Sequence, residues 1–360
     1  MQAVKQTSPY VRKQVSTKRM MTDVLIALIP AVMFSIYRFG WDAVIRILVS
    51  LVVMVGLEAV AFGMMQKPSK SEKFIERLKS RYQAYTINNI TAPAISAIIF
   101  AMLVPSKIEI YAVVMGAAFG IIIGKMLFGG LGANIFNPAA AGRIFIALAL
   151  TGMFSNAYVD VDAITGATAL SSNLAFPNIL NHYSLSQLFL GQIPGAMGEI
   201  SALAILIGAA YLIIRRSADF RVMLSGVATF TILMFIVGLK LVPDFAFQYV
   251  LFQLLSGGLL FGMVFMITDP VTSPITRPGR WIYGLLVGGL VVLMRLFGDY
   301  PEGVAFAILF ANMFVPLLDY PKWSTNVYKP SFLIGIACAL FVLIAIVYFG
   351  ASPEIIGGVS

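Results

Sequence analysis

Thr165-Gly166-Ala167-Thr168 stands in a run of small, hydroxyl-bearing and acidic residues, 160–173, within a chain that is 59% hydrophobic. Two readings fit so short a motif. One is a glycine-centred turn capped by threonine hydroxyls. The other is an acceptor for covalent modification. A hydroxyl nucleophile must be exposed, and Gly166 and Ala167 keep the backbone beside it thin enough for a modifying enzyme to reach. Asp162 precedes the motif.

Carboxylates in apolar surroundings form a second set. Glu58 lies deep in the apolar run Val55–Phe62. A carboxylate there is costly in lipid, so it is either a functional group or a protonated or hydrogen-bonded carboxyl in a polar contact between helices. Asp269 and Asp319 fall at helix ends, where solvated or capping carboxylates are ordinary; both are also candidates for an ion pathway. Lys125 and Arg295 are near helix ends and are read as snorkelling. A single cysteine, Cys338, and a single histidine, His182, exclude a cysteine-held cluster and a multi-histidine haem or zinc site in this chain alone. Both read as structural, and no metal site is expected. Redox work here needs a cofactor held another way.

The elements that must position these residues are membrane helices. Only 11% of the 360 residues are charged, and the mean hydropathy is +0.91, too little charge to cover a soluble protein of this size. Apolar runs predict spans at 22–37, 41–65, 90–105, 109–128, 139–153, 199–214, 222–239, 246–268, 281–297, 303–318 and 331–350. The expected fold is an all-α polytopic membrane protein of about 10–11 transmembrane helices. The net charge of +9 reports topology and not nucleic acid, because Lys and Arg crowd into short loops. No cleavable signal peptide is expected before the first run.

Basic residues at 12–19, 67–81, 215–221, 277–280 and 322–329 share one side under this helix count, which puts the N-terminus in the cytoplasm. No Lys or Arg lies between Arg143 and Arg215, so the loop 154–198, with its Thr-Gly-Ala-Thr motif, is expected outside the cytoplasm. The stretch 67–85 reads as a basic loop, or as a short interfacial helix with Phe74, Leu78 and Tyr82 on one face.

An internal repeat is suggested by two segments, one starting at Lys125 and one at Met294. Each reads basic residue, Leu-Phe-Gly, a proline, then a small-residue helix. Five spans separate them, so they face opposite sides, as in an inverted-topology repeat. The expected organisation is a cytoplasmic segment 1–21, a first helical repeat 22–153, the loop 154–198, a second repeat 199–320, and an extra C-terminal helix with its tail, 321–360.

The segments 8–31, 134–143 (Asn-Ile-Phe-Asn-Pro-Ala-Ala-Ala-Gly-Arg), 162–168, 266–274 and 298–320, taken in order, resemble the D subunit of the Rnf complex, an ion-translocating ferredoxin:NAD oxidoreductase. The homologous B subunit of the sodium-pumping NADH:quinone reductase is a close cousin. Residues 1–21 are short for that cousin, which is expected to carry a longer extension before its first helix. The resemblance covers residues 8–320 and does not reach the last helix.

The resemblance implies FMN joined through its phosphate to Thr168. It implies a membrane complex with the other Rnf subunits (A, B, C, E and G) and a flavin transferase for maturation. It further implies coupling of electron flow to Na⁺ or H⁺ movement, with Glu58, Asp269 and Asp319 as candidate ion-pathway residues. A second, non-covalent flavin, riboflavin, has Asn88, Asn89, Thr91, Asn137 and Arg143 as candidate contacts. The chain is then a subunit of an oxidoreductase in the cytoplasmic membrane, with no complete active site for NAD chemistry, since no Gly-x-Gly-x-x-Gly opens a strand–helix unit. The rival of another class is a passive permease of inverted-repeat fold for a small solute, which has no use for a covalent flavin.

Overall fold

The computed structural model describes residues 16–68, 74–157, 176, 178–193, 195–298, 303–320 and 326–352. Asp162, Thr165, Gly166, Ala167 and Thr168 lie outside the described residues.

α1 (Thr17–Phe39) is capped by the Ser16 hydroxyl, which accepts from the Arg19 N–H. Gly40, at φ +59°, turns the chain directly into α2 (Trp41–Met65). The short helix α3 (Phe74–Arg81) leaves Phe74 and Leu78 exposed. Tyr82 and Arg81 tie it back to α2 through the carbonyls of Ala59 and Gly63.

α4 (Asn88–Met102) and α5 (Ile110–Ile122) follow, then a 3₁₀ turn at Met126–Phe128. α6 (Pro138–Ala149) starts with proline at its first position, where no N–H is needed. α7 (Thr151–Asn156) extends it. The expected long loop is partly helical, with α8 (Ile179–His182) and α9 (Leu185–Leu190), the latter held by a Ser184/Gln187 capping box.

α10 (Ala202–Arg215) and α11 (Phe220–Leu241) lead into α12 (Ala246–Leu255). The expected unbroken span 246–268 is interrupted at Ser256-Gly257-Gly258. Both glycines are left-handed, at φ +68° and +69°, and the chain resumes as α13 (Leu259–Phe261) running into a π-helical turn, Gly262–Met266. The two halves meet at 58°. A side chain at either glycine would be strained, so the Gly-Gly pair is what permits the break. α14 (Arg277–Phe297), α15 (Val304–Leu318) and α16 (Pro330–Gly350) complete the chain.

Among the described residues six helices are long and apolar enough to cross a membrane, and the bent pair makes a seventh. α4, α6, α10 and α15 are apolar but shorter. No strand occurs among the described residues. The protein is an all-α polytopic membrane protein.

The packing follows one plan twice. α2 packs on α4 and α5, and α5 on α6; α11 packs on α12 and α14, and α14 on α15. The two groups join where α1 meets α10 and α6 meets α15. Such contacts in lipid rest on close van der Waals approach. A Cβ at Gly120 of α5 would lie 2.4 Å from the Pro138 carbonyl oxygen, and one at Gly288 of α14 would lie 2.4 Å from that of Gly226. α16 lies outside on α11 and α14 and buries only Val347.

Candidate functional site

Glu58 projects from α2 into the first helix group and meets the ammonium of Lys125 at 2.6 Å. Lys125 sits just past α5, where the backbone leaves the helical region. Both side chains are almost wholly enclosed, 1% and 3% exposed. Lys125 therefore does not snorkel to the surface: the carboxylate it finds inside replaces water. Burying two charges is tolerable only while each has the other. The pair uses one carboxylate oxygen; Glu58 Oε1 is buried with no hydrogen-bond partner among the described residues. An acceptor left open in a low-dielectric interior is costly, and it is a place for a proton or a cation.

Lys125 also forms part of a narrow cleft between the two helix groups. Ser96, Asn134, Asn137, Ser217, Thr268 and Asp269 supply its other polar side chains. Asn137 is the joint. Its Oδ1 accepts from the N–H groups of Ala139 (3.0 Å) and Ala140 (3.3 Å), capping α6, and its Nδ2 donates to the Met266 carbonyl at the end of the π turn (3.4 Å). π turns are enriched at functional positions. Asp269, in the turn beyond, accepts from the Val271 N–H at 3.2 Å and the Thr272 hydroxyl at 3.0 Å. Burial pushes its carboxyl above the ordinary aspartate range, against those two bonds and the Lys125 charge. Behind the cleft the fully buried Asn312 of α15 lies 2.6 Å from the Tyr283 hydroxyl.

The other sequence-predicted residues divide differently. Asp319 accepts from the N–H groups of Ile275 (2.8 Å) and Thr276 (3.2 Å) and from the Thr276 hydroxyl, so it fixes the entry to α14. Asn89 accepts from the Thr86 N–H and hydroxyl at the start of α4. Asn88 and Thr91 stand in the same first turn. Arg143 is buried with its guanidinium 5.0 Å from the Phe154 ring. Of the five residues named for a second flavin, only Asn137 lines the cleft. Asn134, Ser96 and Thr268 were not singled out in the sequence: Asn134 and Thr268 stand beside helix ends, where a polar residue reads as a cap, and Ser96 is a lone hydroxyl inside α4 that can bond its own helix, as it does to the Ala92 carbonyl.

The second helix group holds its own half-buried cation. Arg295, near the end of α14, donates to the carbonyls of Gln253 (2.5 Å) and Ser256 (2.9 Å) and to the Gln253 side chain (2.9 Å). It thereby satisfies the C-terminal carbonyls of α12 at the break, where the helix dipole favours a cation. Its guanidinium lies 4.9 Å from the Phe230 ring.

The sequence matches the NQR2, RnfD, RnfE family over residues 4–326. The chain belongs to that family. Among NQR2/RnfD/RnfE relatives, the B subunit of the Na(+)-translocating NADH-quinone reductase from Ectopseudomonas mendocina is 32% identical over 358 residues, covering 90% of this chain and 89% of that protein. Its counterpart from Haemophilus influenzae (strain PittEE) is 34% identical over 361 residues, covering 88% of this chain and 87% of its own. That of Chromohalobacter salexigens is 41% identical over 241 residues, covering 65% of this chain and 58% of its own. The family match takes in the Glu58–Lys125 pair, the cleft and the break, and ends before α16.

Proposed function

We propose that this chain is a membrane subunit of an ion-translocating oxidoreductase complex, and that Thr168 carries FMN through a phosphoester. The bound flavin supplies one-electron carriage. The chain contributes the threonine hydroxyl as a fixed attachment point and the thin Gly166-Ala167 backbone beside it, without spending a redox ligand that its composition lacks. The loop flanks support this reading: Phe176, where the described chain resumes, is buried against Tyr249 and Phe252 of α12, and Ala157 accepts from the Lys107 N–H. Both ends of the attachment loop are thus held on the helix ends opposite the cleft.

The observation that carries the ion-handling half is the buried Glu58 carboxylate with one oxygen engaged by Lys125 and the other open. We read it as the group that takes up Na⁺ or H⁺, with Asp269 on the adjoining cleft; Asp319, engaged with backbone N–H groups, is the weaker pathway candidate. The shared packing plan supports two inverted five-helix repeats, 22–153 and 199–320, around this region, with α16 outside them. The basic loops support a cytoplasmic N-terminus and an extracytoplasmic attachment loop.

Within the family, the names of the relatives favour the B subunit of a Na⁺-translocating NADH-quinone reductase. The five matching segments of the sequence favour the Rnf D subunit. Affinity purification of the tagged chain from its native membrane separates the two, because the partners in an NADH-quinone reductase and in an Rnf complex are different proteins. A second flavin, riboflavin, keeps Asn137 as its one named contact on the cleft. The flavin reading is tested by denaturing electrophoresis of the chain made with a flavin transferase. A fluorescent band is expected, lost in Thr168→Val; a non-fluorescent parent chain rules the attachment out. A passive permease would show no such band.

A further inference from the structure

Beside the cleft, at the ends where α10 closes and α11 and α14 begin, lies a second, wider recess of about 570 Å³. Four arginines line it: Arg216, Arg221, Arg277 and Arg280. Arg216 follows α10 in the left-handed conformation, at φ +58°. Arg221 stands in the first turn of α11, and Arg277 and Arg280 in the first turn of α14. One carboxylate faces them. Asp219 caps α11 through the Arg221 N–H and pairs with the Arg221 guanidinium at 2.9 Å and with that of Arg280. Arg216 and Arg277 are exposed to the recess, with no carboxylate in ion-pair distance among the described residues. Four arginines less one aspartate leave the lining at +3.

Like charges from three separate helix ends repel, and exposed arginines free to move would splay into water. Here Asp219 draws two of them together, and Arg280 is fixed further by donating to the Pro274 carbonyl at 3.0 Å. Ser273 adds a hydroxyl-bearing wall, while the Ser217 hydroxyl is engaged in donating to Asp23. The positive ends of the α11 and α14 dipoles flank the same space. Guanidinium groups in a fixed array suit a tetrahedral oxyanion, which each engages through two N–H groups. Because α11 and α14 are membrane spans that both start here, the recess sits at the level of lipid headgroups.

We infer that this recess binds a phosphate group, with Arg216 and Arg277 as its free ligands and the Asp219-held pair Arg221 and Arg280 as its frame. The phosphate comes from an anionic lipid headgroup or from a soluble phosphate, and the test has an arm for each. In the first, the full-length chain is reconstituted in nanodiscs of phosphatidylcholine and phosphatidylglycerol at 3:1, and native mass spectrometry counts the phosphatidylglycerol retained. In the second, inorganic phosphate is titrated against the chain in neutral detergent and followed by ³¹P line width.

Saturable binding is expected in at least one arm, weakening with salt. It should fall at least tenfold in R216Q/R277Q, and by a smaller factor in each of the single variants R216Q and R277Q. Absence of saturable binding in both arms overturns the site, as does binding in R216Q/R277Q equal to that of the parent. If the double variant does not fold, the single variants decide: weaker binding in R216Q and in R277Q supports the site, and binding equal to that of the parent in both overturns it.

Discussion

Lys125 and Arg295 each stand near the end of a core helix, within two residues of a Leu-Phe-Gly sequence, and each is drawn inward. Their partners differ. Lys125 meets a carboxylate, Glu58, on a continuous α2. Arg295 meets the backbone carbonyls of a helix that has been broken at Ser256-Gly257-Gly258. The lesson is that one sequence position, a cation at the C-terminal end of a helix, can be neutralised in two ways. An ion pair stores a titratable group in the interior. A cation on helix carbonyls stores none, but it holds a bend in place. The first arrangement suits handling of ions, and the second suits positioning of a broken span.

Breaking the first arrangement has the larger effect. Lys125→Met leaves Glu58 buried without its counter-charge and is expected to cost about 3–5 kcal/mol. A large fall in the midpoint of detergent unfolding measures it. Glu58→Gln with Lys125→Met should regain most of that loss, since both charges leave together. If the single variant unfolds with the parent, the pair is not an electrostatic unit.

Arg295→Ala removes the charged donor from the α12 carbonyls and is expected to cost about 2–3 kcal/mol. Hydrogen exchange should rise over residues 253–258 and not over α2. Arg295→Lys keeps the charge without the planar fork and should fall between the two. Equal exchange at both sites in Arg295→Ala would mean that the arginine does not hold the bend.

Close packing offers a sharper comparison of the halves. Gly120→Ala and Gly288→Ala each push a methyl group against a backbone carbonyl at 2.4 Å. Each is expected to cost about 1–3 kcal/mol. A clear loss in one and none in the other would show that only one half is tightly set.

The smallest effect belongs to Asp319→Ala, expected at about 1 kcal/mol for a lost cap. In a reconstituted complex it should leave ion transport near the parent level, whereas Glu58→Gln should lower it severely. The reverse order would move the proposed ion-handling role from Glu58 to Asp319.

Much of the fold was legible in the sequence. The span 41–65 appears with those bounds as α2, because a long apolar run without interior proline has one answer in a bilayer. The break in 246–268 was present as Ser-Gly-Gly, yet glycine is common in membrane helices, so the sequence did not distinguish a bend from a tolerated glycine. The Glu58–Lys125 pair was not legible. Its members are 67 residues apart, and each alone reads by its own rule, one as a costly acid and the other as a snorkelling base. The Asn137 cap was readable from Asn-Pro; its bond to Met266, 129 residues away, was not.

By itself the sequence determined the membrane class, the positions of the spans, and the Thr-Gly-Ala-Thr segment in a stretch without Lys or Arg. These are local properties: hydropathy over a span's length, charge counts and a short motif. The tertiary structure alone decided which buried charges meet. It paired Glu58 with Lys125, placed Arg295 on the carbonyls of a bent helix, and gathered four arginines around one recess. Such choices depend on which helix faces lie against each other, and helix-to-helix distance has no trace in the order of residues along the chain.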